Sequence, residues 1–550
     1  MKVDPFPTEL ARSFLPQILT IPLVLTAGCA TDAVGPVLLS EPELIYDPDG
    51  RAPLAALVEF TTDEPAFVTL HIDDGEVMRA VPFDEANTQH SIHVLGLRPS
   101  RNHSISLELV DAGGNQAIRG PTIEIDTPPL PDDFPPIQLL RAQPSQMEPG
   151  VTLFNASAIP GNYGYLVVVD GVGQVLWYSR TEIRTVDVRR ARSGNFLYLG
   201  TAEPGEDLAA EMDLLGNVVG QWYPAGLGQS GPAGAIPVDT DSFHHEIYEL
   251  PSGNFLTLSS EMRELDSYPT SEDDPGAPTE TARVVGDVVV EFRRNGDLVN
   301  EWSLLDILAP YRIGYDSLGE GWNRVYGDPE GGTRDWSHGN AVIYEERTDS
   351  LIVSLRSQDA LVKISRQTGD LEWILGTSDG WRQNFDSYLL NAENDFEWPY
   401  HQHAPMLTPS GNILLFDNGN SRARPFQGRT EAADSYSRAV EYAIDEESMR
   451  VSEVWAYGGP GGEIFYSSAL GDADWLGTTG NVLVTDGARI TDANGRASDN
   501  FLGGQVWARI VEVTHTSPAE KVFELLIRDE SNEAGGWYVT RSERLASLYP

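Results

Sequence analysis

Half of the histidines in this chain fall in three short stretches of similar pattern. The chain has ten histidines, and five of them lie in SFHHEIYELPSGN (His244 and His245), DWSHGNAV (His338) and YHQHAPMLTPSGN (His401 and His403). Each stretch lies just before an apolar run that is predicted to form a strand. If these strands line one channel, the three stretches point their histidines at a single site.

Two further polar residues belong to this pattern. The apolar run LIVSL ends in Arg356, whose planar and permanently charged guanidinium suits a tetrahedral oxyanion such as sulfate or phosphate. Asn340 follows His338 by two residues, so both lie on the same strand face and the amide adds a hydrogen-bond donor. Imidazoles donate to oxyanions or act as nucleophiles. The set predicts a site that handles an anion.

A metal site is the alternative that these residues leave open. In the His-x-His pattern both rings would lie on one strand face, and three histidines can hold zinc. The carboxylates closest in sequence, Glu246 and Asp335, have no spacing typical of metal ligands. A cation would also be unfavourable beside Arg356. We therefore expect neither a metal nor a cofactor.

The composition excludes several classes of partner. The 550 residues include 37 Lys and Arg against 83 Asp and Glu, which gives a formal net charge of −46 and a pI near 4.4. This charge repels nucleic acid and anionic membrane surfaces, so we expect neither as a partner. It also repels anionic substrates at long range, so an anion site must supply its own cations.

The first residues are expected to be a targeting signal. The apolar run FLPQILTIPLVLTA (14–27) has the length of a signal peptide and is too short for a transmembrane helix. It leads into Cys29, the only cysteine of the chain, in a pattern similar to a bacterial lipoprotein signal. We expect residues 1–28 to be this signal and Cys29 to be lipidated. The protein would be a periplasmic or cell-surface lipoprotein, held at the membrane only by this anchor; an ordinary cleaved signal is the alternative.

The next part of the chain predicts a small β-domain. Residues 40–127 alternate apolar and polar positions in the runs 55–60, 66–72, 91–95 and 104–110, which turn residues separate. This pattern is typical of a β-sandwich. Residues 128–136, in the proline-rich TPPLPDDFPP, form a stiff linker.

Residues 137–550 contain a repeated unit. Apolar runs open with Gly-Asn at Gly194, Gly253, Gly411 and Gly480. Hairpins whose return strand carries an aromatic residue occur six times, at Trp177, Trp222, Trp302, Trp373, Trp455 and Phe523. Repeats of a few short strands are typical of β-propellers. We therefore predict an all-β chain, an N-terminal β-sandwich followed by a six-bladed β-propeller; an irregular all-β domain is the alternative.

Four stretches of this region resemble the bacterial arylsulfate sulfotransferases that do not use a nucleotide sulfate donor. They are HHEIYELPSGN, DWSHGNAVIYEERTDSLIVSLRSQDALVKI, HQHAPMLTPSGNILLFDNG and WYVTRSERLASLYP. The resemblance spans most of residues 137–550, and it implies transfer of a sulfuryl group from a phenolic sulfate ester to a phenolic acceptor through a sulfated histidine.

The resemblance also implies roles for individual residues. His403 matches the histidine nucleophile, and His338 and Asn340 match the DWxHxN motif. Arg356 matches the arginine that ends the following strand, and His245 matches the histidine of the first motif. His244 and His401 are neighbours that could equally contact substrate, since alternation along a strand lets only one ring of the His244–His245 pair face the channel.

Five nearby residues have two interpretations each. Trp336, Trp398 and Tyr400 could stack on a flat aromatic ring or pack between strands. Arg422 and Arg424 could contact the donor, although a solvated loop is the expectation we prefer.

Two other functions fit the same residues. Water in place of the phenol would make the protein a hydrolytic sulfatase. If the protein catalyses no reaction, it would be a surface propeller that binds an anionic glycan or protein partner.

Overall fold

The computed structural model describes residues 35–114, 117–201, 207–327, 331–392, 396–531 and 533–550. Regular structure in these ranges is almost entirely β, with two single-turn helices, α1 (Leu304–Ile307) and α2 (Asn323–Tyr326). The all-β prediction is thus confirmed. The predicted signal peptide and Cys29 lie outside the described residues, and no helix within those residues is long and apolar enough to cross a membrane.

The N-terminal strands form one six-stranded sheet. Its strands are β1 (Glu43–Tyr46), β2 (Ala56–Asp73), β3 (Met78–Val94), β4 (Asn102–Asp111), β5 (Ala117–Arg119) and β6 (Ile123–Asp126). They pair in the order β1-β2-β4-β5, with β3 on β2 and β6 on β4. The sequence predicts two strands at 55–60 and 66–72, whereas the structure has the single strand β2. Its register shifts between Thr61 and Val68, so the polar TTDEP segment bends the strand without ending it.

Twenty-nine further strands follow from residue 137 onward in the described chain. The first of them are β7 (Ile137–Ala142), β8 (Val151–Ile159), β9 (Gly164–Val169), β10 (Val175–Thr181), β11 (Arg184–Arg190), β12 (Phe196–Thr201), β13 (Asp207–Met212), β14 (Val218–Pro224), β15 (Ile236–Val238), β16 (His244–Glu249), β17 (Phe255–Tyr268), β18 (Glu280–Phe292), β19 (Leu298–Ser303) and β20 (Thr333–Asp335). The rest are β21 (Gly339–Glu345), β22 (Ser350–Leu355), β23 (Ala360–Ser365), β24 (Leu371–Gly376), β25 (Asn391–Ala392), β26 (His403–Leu407), β27 (Ile413–Asp417), β28 (Arg438–Asp445), β29 (Arg450–Gly458), β30 (Asp472–Trp475), β31 (Val482–Thr491), β32 (Gln505–Val513), β33 (Lys521–Ile527), β34 (Gly535–Tyr538) and β35 (Ser542–Leu545).

Most of these strands form antiparallel ladders of sequential strands. Four ladders run β11 to β14, β16 to β19, β21 to β24 and β26 to β29, and short parallel strands extend three of them. A ten-stranded sheet contains two groups of strands, β8 to β10 and β30 to β33, which β34 connects. In the same sheet β7 pairs with β33, and β35 pairs with β8. The first strands of successive ladders contact one another, from β8 through β11, β16, β21 and β26 to β30.

Both repeated sequence elements have fixed places in the ladders. The Gly-Asn runs form the second strands of their ladders, β12, β17, β27 and β31. Each of these glycines has a positive φ, between 70° and 87°, and thereby ends the turn before the strand. The six aromatic residues lie on last strands, where all are buried. The indoles of Trp177 and Trp222 connect neighbouring ladders. Trp177 donates to the carbonyl oxygen of Leu214 in the next ladder's outer turn (2.8 Å), and Trp222 donates likewise to Arg294 (2.8 Å).

Candidate functional site

Three neighbouring first strands carry the predicted histidines. His244 and His245 open β16, His338 directly precedes β21, and His403 opens β26. Because β16 contacts β21 and β21 contacts β26, the three stretches meet at one end of the strands.

The backbone is irregular at the same place in all three strands. His245, His338 and Ala404 have positive φ values of 60°, 45° and 46°. The pairing register shifts at each position as well, next to His244, Gly339 and His403. Left-handed backbone at a non-glycine residue costs about 1–3 kcal/mol. This repeated strain breaks the alternation expected of a regular strand. The rings of His244 and His245 therefore touch, with their centroids 5.2 Å apart, instead of facing opposite ways.

His403 is held in one orientation by Asn418. The side-chain amide of Asn418 donates from Nδ2 to the carbonyl oxygens of Ser467 (2.9 Å) and Leu470 (2.8 Å). Its Oδ1 is then the acceptor that faces His403 Nδ1 at 2.7 Å. The proton of the neutral imidazole accordingly lies on Nδ1, which leaves Nε2 with a free lone pair.

The electrostatics keep His403 neutral. Its side chain is 5% exposed. Burial, together with the positive charge of Arg356, holds the pKa of His403 well below its ordinary value of 6.5. A neutral imidazole with a fixed tautomer is what a nitrogen nucleophile requires.

His338 and His245 lie next to each other in the site. Their ring centroids lie 5.3 Å apart. His338 Nδ1 lies 2.5 Å from the carboxylate oxygen Oδ2 of Asp335, and the other oxygen of Asp335 accepts the indole proton of Trp322 (2.8 Å). The pKa of His245 lies well below its usual value. Burial is the main cause, and the nearby His244 and His338 lower it further.

Arg356 brings the positive charge. It directly follows β22, and its backbone N–H donates to the carbonyl oxygen of His338 at 3.1 Å. Its Nη1 donates to Asp316 Oδ2 at 3.2 Å. The positive charge of this guanidinium is close enough to His403 to lower the pKa of that imidazole.

The remaining predicted residues are more deeply enclosed. Asn340 is buried and donates from Nδ2 to the carbonyl oxygen of Gln402, the residue before His403, at 2.8 Å. His244 is buried, with Nε2 3.2 Å from Asp287 Oδ1. His401 is completely buried, and its two ring nitrogens face carboxylates at 3.1 and 3.4 Å.

The structure decides between the two interpretations of three nearby residues. Trp336 is fully buried and donates its indole proton to the carbonyl oxygen of Arg312 at 2.8 Å, so it packs in the core and offers no face to a ligand. Arg424 is also buried, in an ion pair with Asp359 at 2.7 Å, and Arg422 pairs with Glu397 at 2.7 Å. The prediction that both arginines lie in a solvated loop is wrong.

Sequence reasoning missed four residues that orient the site: Asn418, Asp335, Asp316 and Asp359. Three of them carried a signal: Asn418 lies in the FDNG stretch, Asp359 follows Arg356 by three residues in the SLRSQDALVKI stretch, and Asp335 stands three residues before His338. Asp316 lies far from these stretches in sequence, and no motif marks it. Within the described ranges, His, Cys, Asp and Glu side chains make no group of three or more arranged to hold a metal ion.

Taken together, the groups provide a neutral imidazole nitrogen, a guanidinium whose charge reaches it, and two further imidazoles nearby. Such a set can accept a group from an anion onto nitrogen while cationic and hydrogen-bonding groups stabilise the oxygens.

Comparison with known proteins gives matches over most of the chain. Residues 137–538 match the family model described as Arylsulfotransferase (ASST), and residues 43–128 match the Arylsulfotransferase Ig-like domain. Arylsulfate sulfotransferase AssT of Escherichia coli O6:H1 is 31% identical over 261 residues, covering 40% of this chain and 41% of that protein. The enzyme of the same name from Lelliottia amnigena is 31% identical over 221 residues, covering 33% and 36%.

The aligned segments thus span well under half the length of either curated relative. Among solved structures, the β-propeller domain of Myceliophteria thermophila Cps50 (Swd1) aligns at 11% identity with a TM-score of 0.32, over 72% of this chain and 90% of that one. The family model covers far more than half of the chain. This protein, with its Ig-like N-terminal domain, therefore belongs to the arylsulfotransferase family.

Proposed function

We propose that this protein transfers a sulfuryl group from an aryl sulfate ester to a phenol, in a ping-pong reaction through a sulfated His403. The observation that carries the proposal is the contact of His403 Nδ1 with Asn418 Oδ1, because it leaves the lone pair of Nε2 unprotonated and available for attack. Membership in the arylsulfotransferase family supports the same chemistry.

In the first step His403 Nε2 attacks the sulfur of the donor. The S–O bond to the aryl group breaks, and the phenolate leaves with the electron pair of that bond. Sulfuryl transfer, like phosphoryl transfer, is expected to pass through a loose in-line transition state with charge on the outer oxygens. Arg356 and His245 stabilise that charge. The leaving phenolate needs little protonation, because the pKa of a phenol is about 10.

In the second step the acceptor phenol attacks the sulfated His403. His338 is the base that takes the phenol's proton, since Asp335 engages Nδ1 and leaves Nε2 facing the site. The phenol oxygen bonds to sulfur, the N–S bond breaks, and its electron pair returns to His403 Nε2. The Asp335 carboxylate stabilises the imidazolium of His338 until that proton passes to solvent.

Asn340, His244 and His401 have supporting roles in this proposal. Asn340 holds the backbone at Gln402 and thereby the start of β26. His244 contacts His245 through their Nδ1 atoms, 2.9 Å apart, and fixes the orientation of that ring. His401 is considered below.

The fold we propose around this site is a six-bladed propeller over residues 137–550. Four blades are the separate ladders. The ten-stranded sheet supplies the other two, β8 to β10 with β35, and β30 to β33 with β7. The contacts between successive first strands support a closed ring. Residues 40–127 would form the β-sandwich, and 128–136 the linker.

We also propose that the protein is exported and lipidated at Cys29. The test is fractionation of the producing cells. A Cys29→Ser variant should leave the membrane fraction, and continued membrane attachment would contradict lipidation at this residue.

The function is tested with the purified chain, a chromogenic ester such as 4-nitrophenyl sulfate, and phenol added or omitted. We expect release of the coloured phenol that depends on the acceptor, with phenyl sulfate as the second product. A His403→Asn variant should lose this activity. A matched control, His71→Asn, removes an imidazole that pairs with Glu108 in the N-terminal sheet and should keep it.

Other outcomes identify the alternatives. Free sulfate released without need for phenol would indicate a sulfatase. Tight binding of the ester without turnover would indicate a non-catalytic propeller, and full transfer by His403→Asn would contradict the nucleophile assignment.

A further inference from the structure

A chain of five alternating charges leads from the interior to Arg356. Arg424 Nη1 lies 2.7 Å from Asp359 Oδ2, and Asp359 Oδ1 lies 3.1 Å from His401 Nδ1. On the other side of the ring, His401 Nε2 lies 3.4 Å from Asp316 Oδ2, which accepts from Arg356 Nη1 at 3.2 Å. His401 is therefore the central cation position between two carboxylates.

Asp359 and His401, in the interior part of this row of charges, are buried more deeply than Asp316 and Arg356. The side chains of Asp359 and His401 are 0% exposed, whereas that of Asp316 is 50% exposed. Charges this deep are costly unless each has a partner of opposite sign. A neutral His401 would leave Asp359 paired with Arg424 alone and Asp316 paired with Arg356 alone.

The loop that carries Asp316 is fixed against the turn that carries Arg356. Arg424 Nη2 donates to the carbonyl oxygen of Ile313 (2.8 Å), and Arg312 Nη1 donates to the carbonyl oxygen of Gln358 (2.6 Å). The two segments pack so closely that a Cβ on Gly314 would collide with the backbone of Ser357. The position of Asp316 is thus set by the same turn that presents Arg356.

The groups around His401 favour its protonated form. Asp316 and Asp359 face its ring, while Arg356 opposes protonation and Asp499 lies near enough to sense its charge. Burial and Arg356 lower the pKa of His401, but the two carboxylates outweigh them and raise it to about 9. Burial raises the pKa of Asp316, but the ion pair with His401 and the charge of Arg356 outweigh burial and lower it.

We propose that His401 is a positioning residue, an imidazolium that holds Asp316 so that Asp316 fixes the guanidinium of Arg356 toward the sulfuryl group. This inference rests on the proposed function and assigns His401 a role other than contact with substrate. Asp316 engages Nη1 of Arg356, and in this proposal the donors on Nη2 and Nε bind the donor ester. When His401 loses its proton, Asp316 is neutralised by Arg356 alone and draws the guanidinium away from the sulfate.

Two variants test the positioning role through the kinetics. Asp316→Asn and His401→Gln should each raise the KM for the aryl sulfate about tenfold, the cost of one hydrogen bond to a charged group. Asp316→Glu should restore part of the loss. In the wild type the kcat/KM of donor cleavage should fall above a pH of about 9, and His401→Gln should lack this fall. A matched control, Asp306→Asn, removes an exposed carboxylate that pairs with Arg263 and should change none of these values.

A second readout does not need turnover. NMR of chains labelled at the histidine Cε1, with His401→Gln to assign the resonance, should show that His401 titrates near pH 9 and at lower pH in Asp316→Asn. A His401 that titrates below 7, or wild-type KM values in both variants, would overturn the inference. Failure of the wild type to cleave any aryl sulfate would overturn the proposed function instead, while the titration would still decide the state of His401.

Discussion

Asn418 Oδ1 lies 2.7 Å from His403 Nδ1, and the amide of Asn418 cannot turn away because both of its N–H groups are bound to carbonyl oxygens of the next ladder. The tautomer of His403 is therefore determined by the backbone of residues 467–470. A loop with no chemistry of its own sets the direction of the lone pair on Nε2.

This relationship predicts the effect of Asn418→Ala. The imidazole would lose its acceptor, populate the other tautomer and rotate, so we expect kcat for donor cleavage to fall by about 10²-fold or more. Steady-state kinetics with an aryl sulfate measure this change. Thermal unfolding serves as a control, since two unpaired carbonyl groups should also lower the melting temperature. Unchanged kcat would show that Asn418 does not set the tautomer.

The pH dependence of donor cleavage follows from the low pKa of His403. The nucleophile must be neutral, and burial with the charge of Arg356 keeps its pKa well below 6.5. Below that folded pKa the imidazole is protonated and cannot attack. We expect single-turnover cleavage rates to be constant from pH 6.5 to 8, with the acidic limb well below 6.5. A limb centred at 6.5 or higher would contradict the environment described for His403.

Removal of metal ions should not affect the reaction. His403 Nδ1 faces Asn418, His338 Nδ1 faces Asp335, and a guanidinium lies beside them, which is unfavourable for a cation. We expect the same rate of phenol-dependent transfer before and after dialysis against a chelator. Loss of activity that zinc restores would instead support a metal site among the histidines.

Asp287 is expected to stabilise the turn that carries His338. Its buried carboxylate accepts hydrogen bonds from Ser337 Oγ and from the backbone N–H of Gly339, the latter at 2.6 Å. Asp287→Ala leaves these donors unpaired and should lower the free energy of unfolding by about 3 kcal/mol at neutral pH. Ser337→Ala is the milder control, because it removes only one donor.

The stabilisation by Asp287 should also depend on pH. Burial raises the pKa of this carboxyl, but the ion pair with His244 and the hydrogen bonds from Ser337 and Gly339 lower it overall. A carboxyl with a lowered folded pKa contributes its full stability above the unfolded value of about 4 and loses it as the pH falls through the folded pKa. The difference between wild type and Asp287→Ala in denaturant unfolding should therefore shrink in acid. A difference that grows in acid would contradict the lowered pKa.

Much of the fold was predictable because its signals are local. The Gly-Asn turns need positive φ, and the outer-strand tryptophans bury a large ring, so both leave a repeated pattern. The histidine stretches were predictable for the same reason. The ion pairs of Asp316, Asp359 and Arg424 were not, because a charged residue looks the same in sequence whether solvent or an opposite charge surrounds it. The contact between His244 and His245 was missed because alternation assumes a regular strand, and His245 departs from one.

The most direct test of the account is to trap the sulfated enzyme. The purified chain is mixed with 4-nitrophenyl sulfate in the absence of an acceptor, quenched in mild alkali, digested and analysed by peptide mass spectrometry. The account predicts one sulfuryl group on the peptide that contains His403, absent from His403→Asn and lost when phenol is added before the quench. Turnover with the sulfuryl group on another residue, or with no modified peptide at all, would contradict a sulfated His403 as the intermediate.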